Sequence, residues 1–152
     1  MKTACLMLPL LMLTACGSAE TSVTDPETDT KTSIAAALPG SSGISAPADL
    51  PGFAALMPGA SVQSAIRGGE GETRGLVSYQ VKASPAAVIE HYRKLGTAAG
   101  LKVLAEATTG DGRMLAMGRE TGNDAAMQVT VTPYEGEDMV MVALVYDAGA
   151  GK

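Results

Sequence analysis

Apolar and polar residues alternate along most of the second half of the chain, and the spacing lengthens to a helical period only once. Arg74 to Lys82 places Val77, Tyr79 and Val81 on one face and Ser78, Gln80 and Lys82 on the other, which predicts a half-buried strand. Ser61 to Arg67 reads as a weaker strand before it, joined by the turn Arg67-Gly68-Gly69-Glu70-Gly71. Ser84 and Pro85 then supply an N-cap and a first-turn proline. Val88, Ile89, Tyr92, Leu95 and Ala99 follow at helical spacing, while Glu90, Arg93 and Lys94 point outward. Gly100 is suited to end that helix, because a residue without Cβ enters the left-handed region freely. Alternation returns in Leu101 to Ala107, with Leu101, Val103 and Ala105 expected inward, and again in Arg113 to Arg119 beyond the turn Thr109-Gly110-Asp111-Gly112. Ala125 to Thr132 sets Met127, Val129 and Val131 on one face. After a turn from Pro133 to Asp138, Met139 to Tyr146 (MVMVALVY) is apolar on both faces, which predicts a central or doubly covered strand. The order β-β-α-β-β-β-β implies an α+β fold: a mostly antiparallel sheet of five to six strands with one helix packed across a face.

Before Leu50 this patterning is absent. Residues 16–50 are rich in Ser, Thr, Ala, Gly, Pro and acids, as in GSAETSVTDPETDTKTS, and such a stretch buries too little apolar surface to offset its ordering entropy. It reads as a flexible tether, holding a module over residues 51–148 about 30 Å from its start, with 149–152 a disordered tail. Composition fits a modest core: 46% of residues are apolar, but aromatics make up only 3%, with no Trp and one Phe. Ala, Val, Leu and Met must do most of the filling, with Tyr79, Tyr92, Tyr134 and Tyr146 as the large members.

The first residues carry a different signal. Met1-Lys2 is a short basic start, and Ala4 to Leu13 (ACLMLPLLML) is an apolar run too short for the roughly 20 residues of a spanning helix. It ends in Leu13-Thr14-Ala15-Cys16, then Gly17-Ser18. This resembles the lipobox of bacterial lipoproteins: an aliphatic residue, two small ones, then the cysteine that becomes the lipid-bearing N-terminus. The resemblance implies that residues 1–15 are a removed signal peptide and that Cys16 carries the lipid. The alternative is an ordinary secretory signal cut near Ala15 or Ala19. Gly17, rather than Asp, in second position resembles the outer-membrane default of two-membraned bacteria. With Cys5 removed and Cys16 lipidated, no internal disulfide can form. The mature chain would hold 10 basic against 16 acidic residues, a formal charge of −6. Without clustered Lys and Arg, nucleic-acid binding is excluded.

Leu56-Met57-Pro58-Gly59-Ala60, Ala83-Ser84-Pro85, His91-Tyr92-Arg93 and Ala99-Gly100-Leu101 together resemble small bacterial envelope modules, in which a Pro-Gly-Ala turn precedes the first strand. That resemblance implies a fold but no activity.

Candidate chemistry is sparse. His91 is the single histidine, and its neighbour Glu90 diverges from it by about 100° around a helix, so no orienting acid is in reach. Carboxylate-only catalysis would have to use Glu70, Glu72, Glu106 or Glu137. Met114, Met127, Met139 and Met141 offer thioethers that suit Cu(I), though methionine is also an adaptable core filler. Glu135, Glu137 and Asp138 crowd one turn without the spacing of a calcium loop, and Gly68-Gly69-Glu70-Gly71 lacks the lysine of a phosphate loop. With so few aromatics, a sugar-binding platform is disfavoured. No catalytic, cofactor or metal residues are therefore assigned. The reading is a non-enzymatic, lipid-anchored envelope lipoprotein, placed at the outer membrane facing the periplasm, whose module contacts an envelope protein partner. The alternative is a binder of a small apolar ligand or lipid between helix and sheet.

Overall fold

The alternation in the second half of the chain produces the strands it predicts, and the sheet continues beyond them. The computed structural model describes residues 18–25, 30–37, 43–68, 73–119, 125–135 and 137–149. Eight strands form one antiparallel sheet: β1 (Ser18–Asp25), β2 (Thr30–Ala37), β3 (Ser61–Gly68), β4 (Arg74–Val81), β5 (Lys102–Thr109), β6 (Gly112–Gly118), β7 (Ala126–Pro133) and β8 (Val140–Asp147). Their spatial order is β1-β2-β3-β4-β8-β7-β6-β5. One helix, α1 (Pro85–Ala98), carries the chain from β4 to the far edge at β5, across β8, β7 and β6. The α+β class and the single helix match the sequence pattern. The strand count does not.

The two additional strands lie where the composition predicts a tether. β1 and β2 pair through their whole length, from Ser18 opposite Ala37 to Asp25 opposite Thr30, and β2 continues onto β3 through Ile34–Ile66 and Ala35–Ala65. Thr, Val and Ile favour a pleated chain, and the edge of β3 offers unpaired backbone groups for them to meet. Residues 1–17, including the signal segment and Cys16, lie outside the described residues. No helix among the described residues is long and apolar enough to cross a membrane.

Helix α1 forms for local reasons visible at both ends. Ser84 Oγ accepts the backbone N–H of Ala87 at 3.2 Å, with Pro85 in the first turn. At the other end Gly100 adopts φ +78°, its N–H reaches the Thr97 carbonyl at 3.0 Å, and Leu101 N–H returns to the Gly96 carbonyl at 2.8 Å. This double closure satisfies carbonyls that a helix end leaves open, and the buried Leu101 seals it. Val88, Ile89, Tyr92 and Gly96 are the buried stripe.

The core lies between that stripe and one face of the sheet. Val77, Tyr79 and Val81 of β4, Leu115 and Met117 of β6, Met127, Val129 and Val131 of β7, and Val140, Val142, Leu144 and Tyr146 of β8 are all buried. Register explains the selection, because Val77 stands opposite Leu144, Val129 opposite Leu144, and Leu115 opposite Val129, one continuous layer. β8 is central, as its doubly apolar sequence predicts.

β5 departs from expectation. Leu101 is buried just before it, but every residue of the strand is exposed, including Val103 at 43% and Ala105. β5 is the terminal strand, and a register shift between Val103 and Ala105 breaks its alternation. An edge strand with a bulge has no neighbour to bury its inward phase.

Candidate functional site

The space between α1 and the sheet is filled. Tyr79, Tyr92, Leu115, Met117, Val129 and Leu144 meet there, each almost wholly enclosed. The two tyrosine hydroxyls face each other at 2.8 Å and so satisfy one another within an apolar layer. Burial pushes Tyr79 up to about 12, and its hydrogen bonds with Tyr92 and the Met57 backbone oppose that shift. Burial raises Tyr92 further, and the adjacent Tyr79 adds to the effect. These groups stay neutral and structural across the ordinary pH range. A ligand between helix and sheet has no room at this layer.

The opposite face of the sheet carries no helix, and side chains of the other phase collect there. Strand register places Ile34, Ile66, Leu76, Val145, Gln128 and Ala116 in one row perpendicular to the strands. The next row holds Arg74, Asp147, Ala126 and Gly118. Between them runs a trough of about 590 Å³, bounded by Ile66, Leu76 and Val145 at one side and by Leu104 at the other. Its floor is low because Ala116 and Ala126 are small. A Cβ on Gly118 would stand 3.0 Å from Leu104 Cδ1, so the glycine lets that leucine lean inward from the edge strand. Val145 is 44% exposed and Leu104 59%, large apolar side chains left in contact with solvent. Arg74 closes one end, its Nε donating to Asp147 Oδ2 at 2.7 Å.

A second concavity, about 730 Å³, opens at the start of α1 among Ser84, Pro85, Asp111, Arg113, Tyr134 and Glu135. It is polar and mixed in charge.

The residues singled out from sequence are scattered over the fold. His91 is half-buried, its Nε2 donating to the Ala55 carbonyl at 3.2 Å and its ring set edge-on to Tyr92 at 5.0 Å. It clamps α1 to the turn at Gly52–Ala54 and faces no nucleophile. Glu106 pairs with Arg93 at 2.8 Å across the helix–edge boundary, and this hydrogen bond raises the arginine's pKa. Glu70 and Glu72 lie outside the described residues, as does most of the glycine turn between β3 and β4. Glu135, Glu137 and Asp138 are exposed in the β7–β8 turn. Met127 is buried on the helix side next to Met117, whereas Met114 and Met141 belong to the open face on strands that β7 separates. The four methionines therefore do not converge. Among the described residues no group of three or more His, Cys, Asp or Glu is placed to hold a metal.

Sequence reasoning did not find the trough. Its signal was present: Leu76 is an apolar residue in a phase that otherwise reads Arg74, Ser78 and Gln80, and Val145 belongs to the second apolar face of β8. Only the sheet order brings them together.

A family model described as START domain-like matches residues 61–143, just over half of the chain, from the first residue of β3 into β8. No curated protein and no solved structure matches.

Proposed function

The chain belongs to the START domain-like family, and we propose that it is a non-enzymatic binding module for a small apolar ligand, held in the trough on the open face of the sheet. Domains of this family often bind hydrophobic ligands. The observation that carries the reading is the trough itself, about 590 Å³ with Ile66, Leu76, Leu104 and Val145 at its walls and no described element covering it. That volume lies within the range of small-molecule sites, and apolar walls with few polar groups are their usual lining. The solid packing on the helix side moves the ligand from the interior to this face.

Titration with the fluorescent probe N-phenyl-1-naphthylamine tests it. Wild-type protein is expected to bind the probe saturably, and Leu76→Glu to weaken binding at least tenfold, since a carboxylate in the trough must stay hydrated or be neutralised. Leu76 points away from the core, so circular dichroism should be unchanged. Equal affinity in the two proteins would overturn the assignment.

The lipobox-like Leu13-Thr14-Ala15-Cys16 supports a lipid anchor on Cys16, and Gly17 supports an outer-membrane position facing the periplasm. Two or more acyl chains give stable attachment where one alone is marginal. Metabolic labelling with a palmitate analogue is expected to mark the wild type and to vanish in Cys16→Ser. Label retained by the variant would refute lipidation at this residue.

A second reading, docking on an envelope protein, is favoured by β5. This edge strand is exposed along its whole length and shows Val103 and Leu104 side by side. Such an edge is suited to accept an extended peptide strand.

A further inference from the structure

The polar end of the trough specifies more than an apolar ligand. Asp147 is fixed through both oxygens: Oδ1 accepts the backbone N–H of Gly149 at 2.8 Å, and Oδ2 accepts Nε of Arg74 at 2.7 Å. Arg74 and Asp147 are also direct cross-strand neighbours on β4 and β8. The guanidinium is thus held by its inner nitrogen, and among the described residues its two outer nitrogens have no partner. They form a planar pair of donors at the rim of an apolar trough. Arg67, the other arginine at the trough, is engaged by Asp49. A planar fork of two N–H donors matches a carboxylate, which accepts both in parallel.

The trough also has a length. From Arg74 on β4 it crosses β8 and β7 to the Leu104 side chain, which leans over Gly118 on β6: three strand spacings, or about 14 Å. An extended chain advances about 1.2 Å per bond, taking a fully extended residue as three bonds. About 12 carbons therefore span it. The low floor of Ala126 and Ala116 leaves a lane between Val145 and Leu104 that suits an unbranched chain better than a ring system.

Building on the trough reading, we infer that the ligand is a long-chain carboxylate, its head on the outer nitrogens of Arg74 and its chain running across β8 and β7 to the Leu104 side chain over β6. Asp147 is a positioning residue, aiming the guanidinium without touching the ligand.

Displacement of N-phenyl-1-naphthylamine by dodecanoate and by its methyl ester, both below their aggregation limits, tests this. In the wild type the acid is expected to displace the probe at a concentration at least tenfold lower than the ester. Arg74→Gln should abolish that ratio while still binding probe, and Arg74→Lys should restore part of it, because a lysine keeps the charge but not the fork. Among saturated acids of 8 to 18 carbons, displacement should strengthen up to about 12. If acid and ester compete equally in the wild type, or if Arg74→Gln keeps the preference, the carboxylate assignment is wrong while the apolar trough stands. If the wild type binds no probe at all, the trough reading fails and this inference fails with it.

Discussion

Tyr92→Ala is expected to cost about 3–5 kcal/mol of folding stability, because it removes a fully enclosed ring from the layer between α1 and the sheet. Against the roughly 5–15 kcal/mol that domains of this size possess, that is enough to leave a large unfolded fraction at 37 °C. The hydroxyl makes a separate contribution that finer substitutions resolve. Tyr92→Phe keeps the ring but leaves the Tyr79 hydroxyl with the Met57 backbone alone, and Tyr79→Phe takes from the Tyr92 hydroxyl its partner at 2.8 Å. Each single change leaves a buried polar group poorly satisfied, at about 1–3 kcal/mol. The double change removes both hydroxyls and should cost clearly less than the sum of the two. Urea denaturation of the four proteins measures the cycle. Strict additivity would mean that the hydroxyls do not depend on each other.

The same pair makes the fold sensitive to alkali. An unfolded tyrosine ionises near pH 10, whereas Tyr79 in the folded protein holds its proton to about 12. A raised folded value means that the contribution is whole below pH 10 and is lost as pH climbs through 12, since the unfolded chain releases the proton first. Two pH units correspond to about 3 kcal/mol from Tyr79, and Tyr92, displaced the same way, adds to it. Thermal unfolding at pH 9 and at pH 11.5 should therefore differ by well over ten degrees. The Tyr79→Phe/Tyr92→Phe protein should show a much smaller drop. An equal drop in that double variant would place the alkaline sensitivity elsewhere.

Which parts of this molecule could be read from its sequence follows from how local their causes are. α1 is legible because each determinant is a neighbour in the chain: Ser84 and Pro85 open it, the stripe from Val88 to Tyr92 seats it, and Gly100 closes it. β4, β7 and β8 are legible because their inward phases are unbroken. β1 and β2 are not, since their Ser, Thr and Ala content lacks large alternating residues, and it is the edge of β3 that gives them a place to pair. The facing of Val103 and Ala105 fails for a related reason, as a bulge and an outer position cancel what alternation predicts. The trough is least legible of all. Ile66, Leu76, Leu104, Ala116, Ala126 and Val145 come from separate strands, and they line one trough only because β8 pairs with both β4 and β7.

That position of β8 also sets the order in which the fold can be completed. Until Val140–Asp147 has left the ribosome, β1 to β4 and β5 to β7 are two half-sheets, joined by α1 but sharing no strand pairing. Each half presents a raw edge, at β4 and at β7. A nascent chain thus stays open until β8 has been made and then commits at once. A sheet whose halves are joined through β8 depends on pairings far apart in sequence, and such pairings make folding slow.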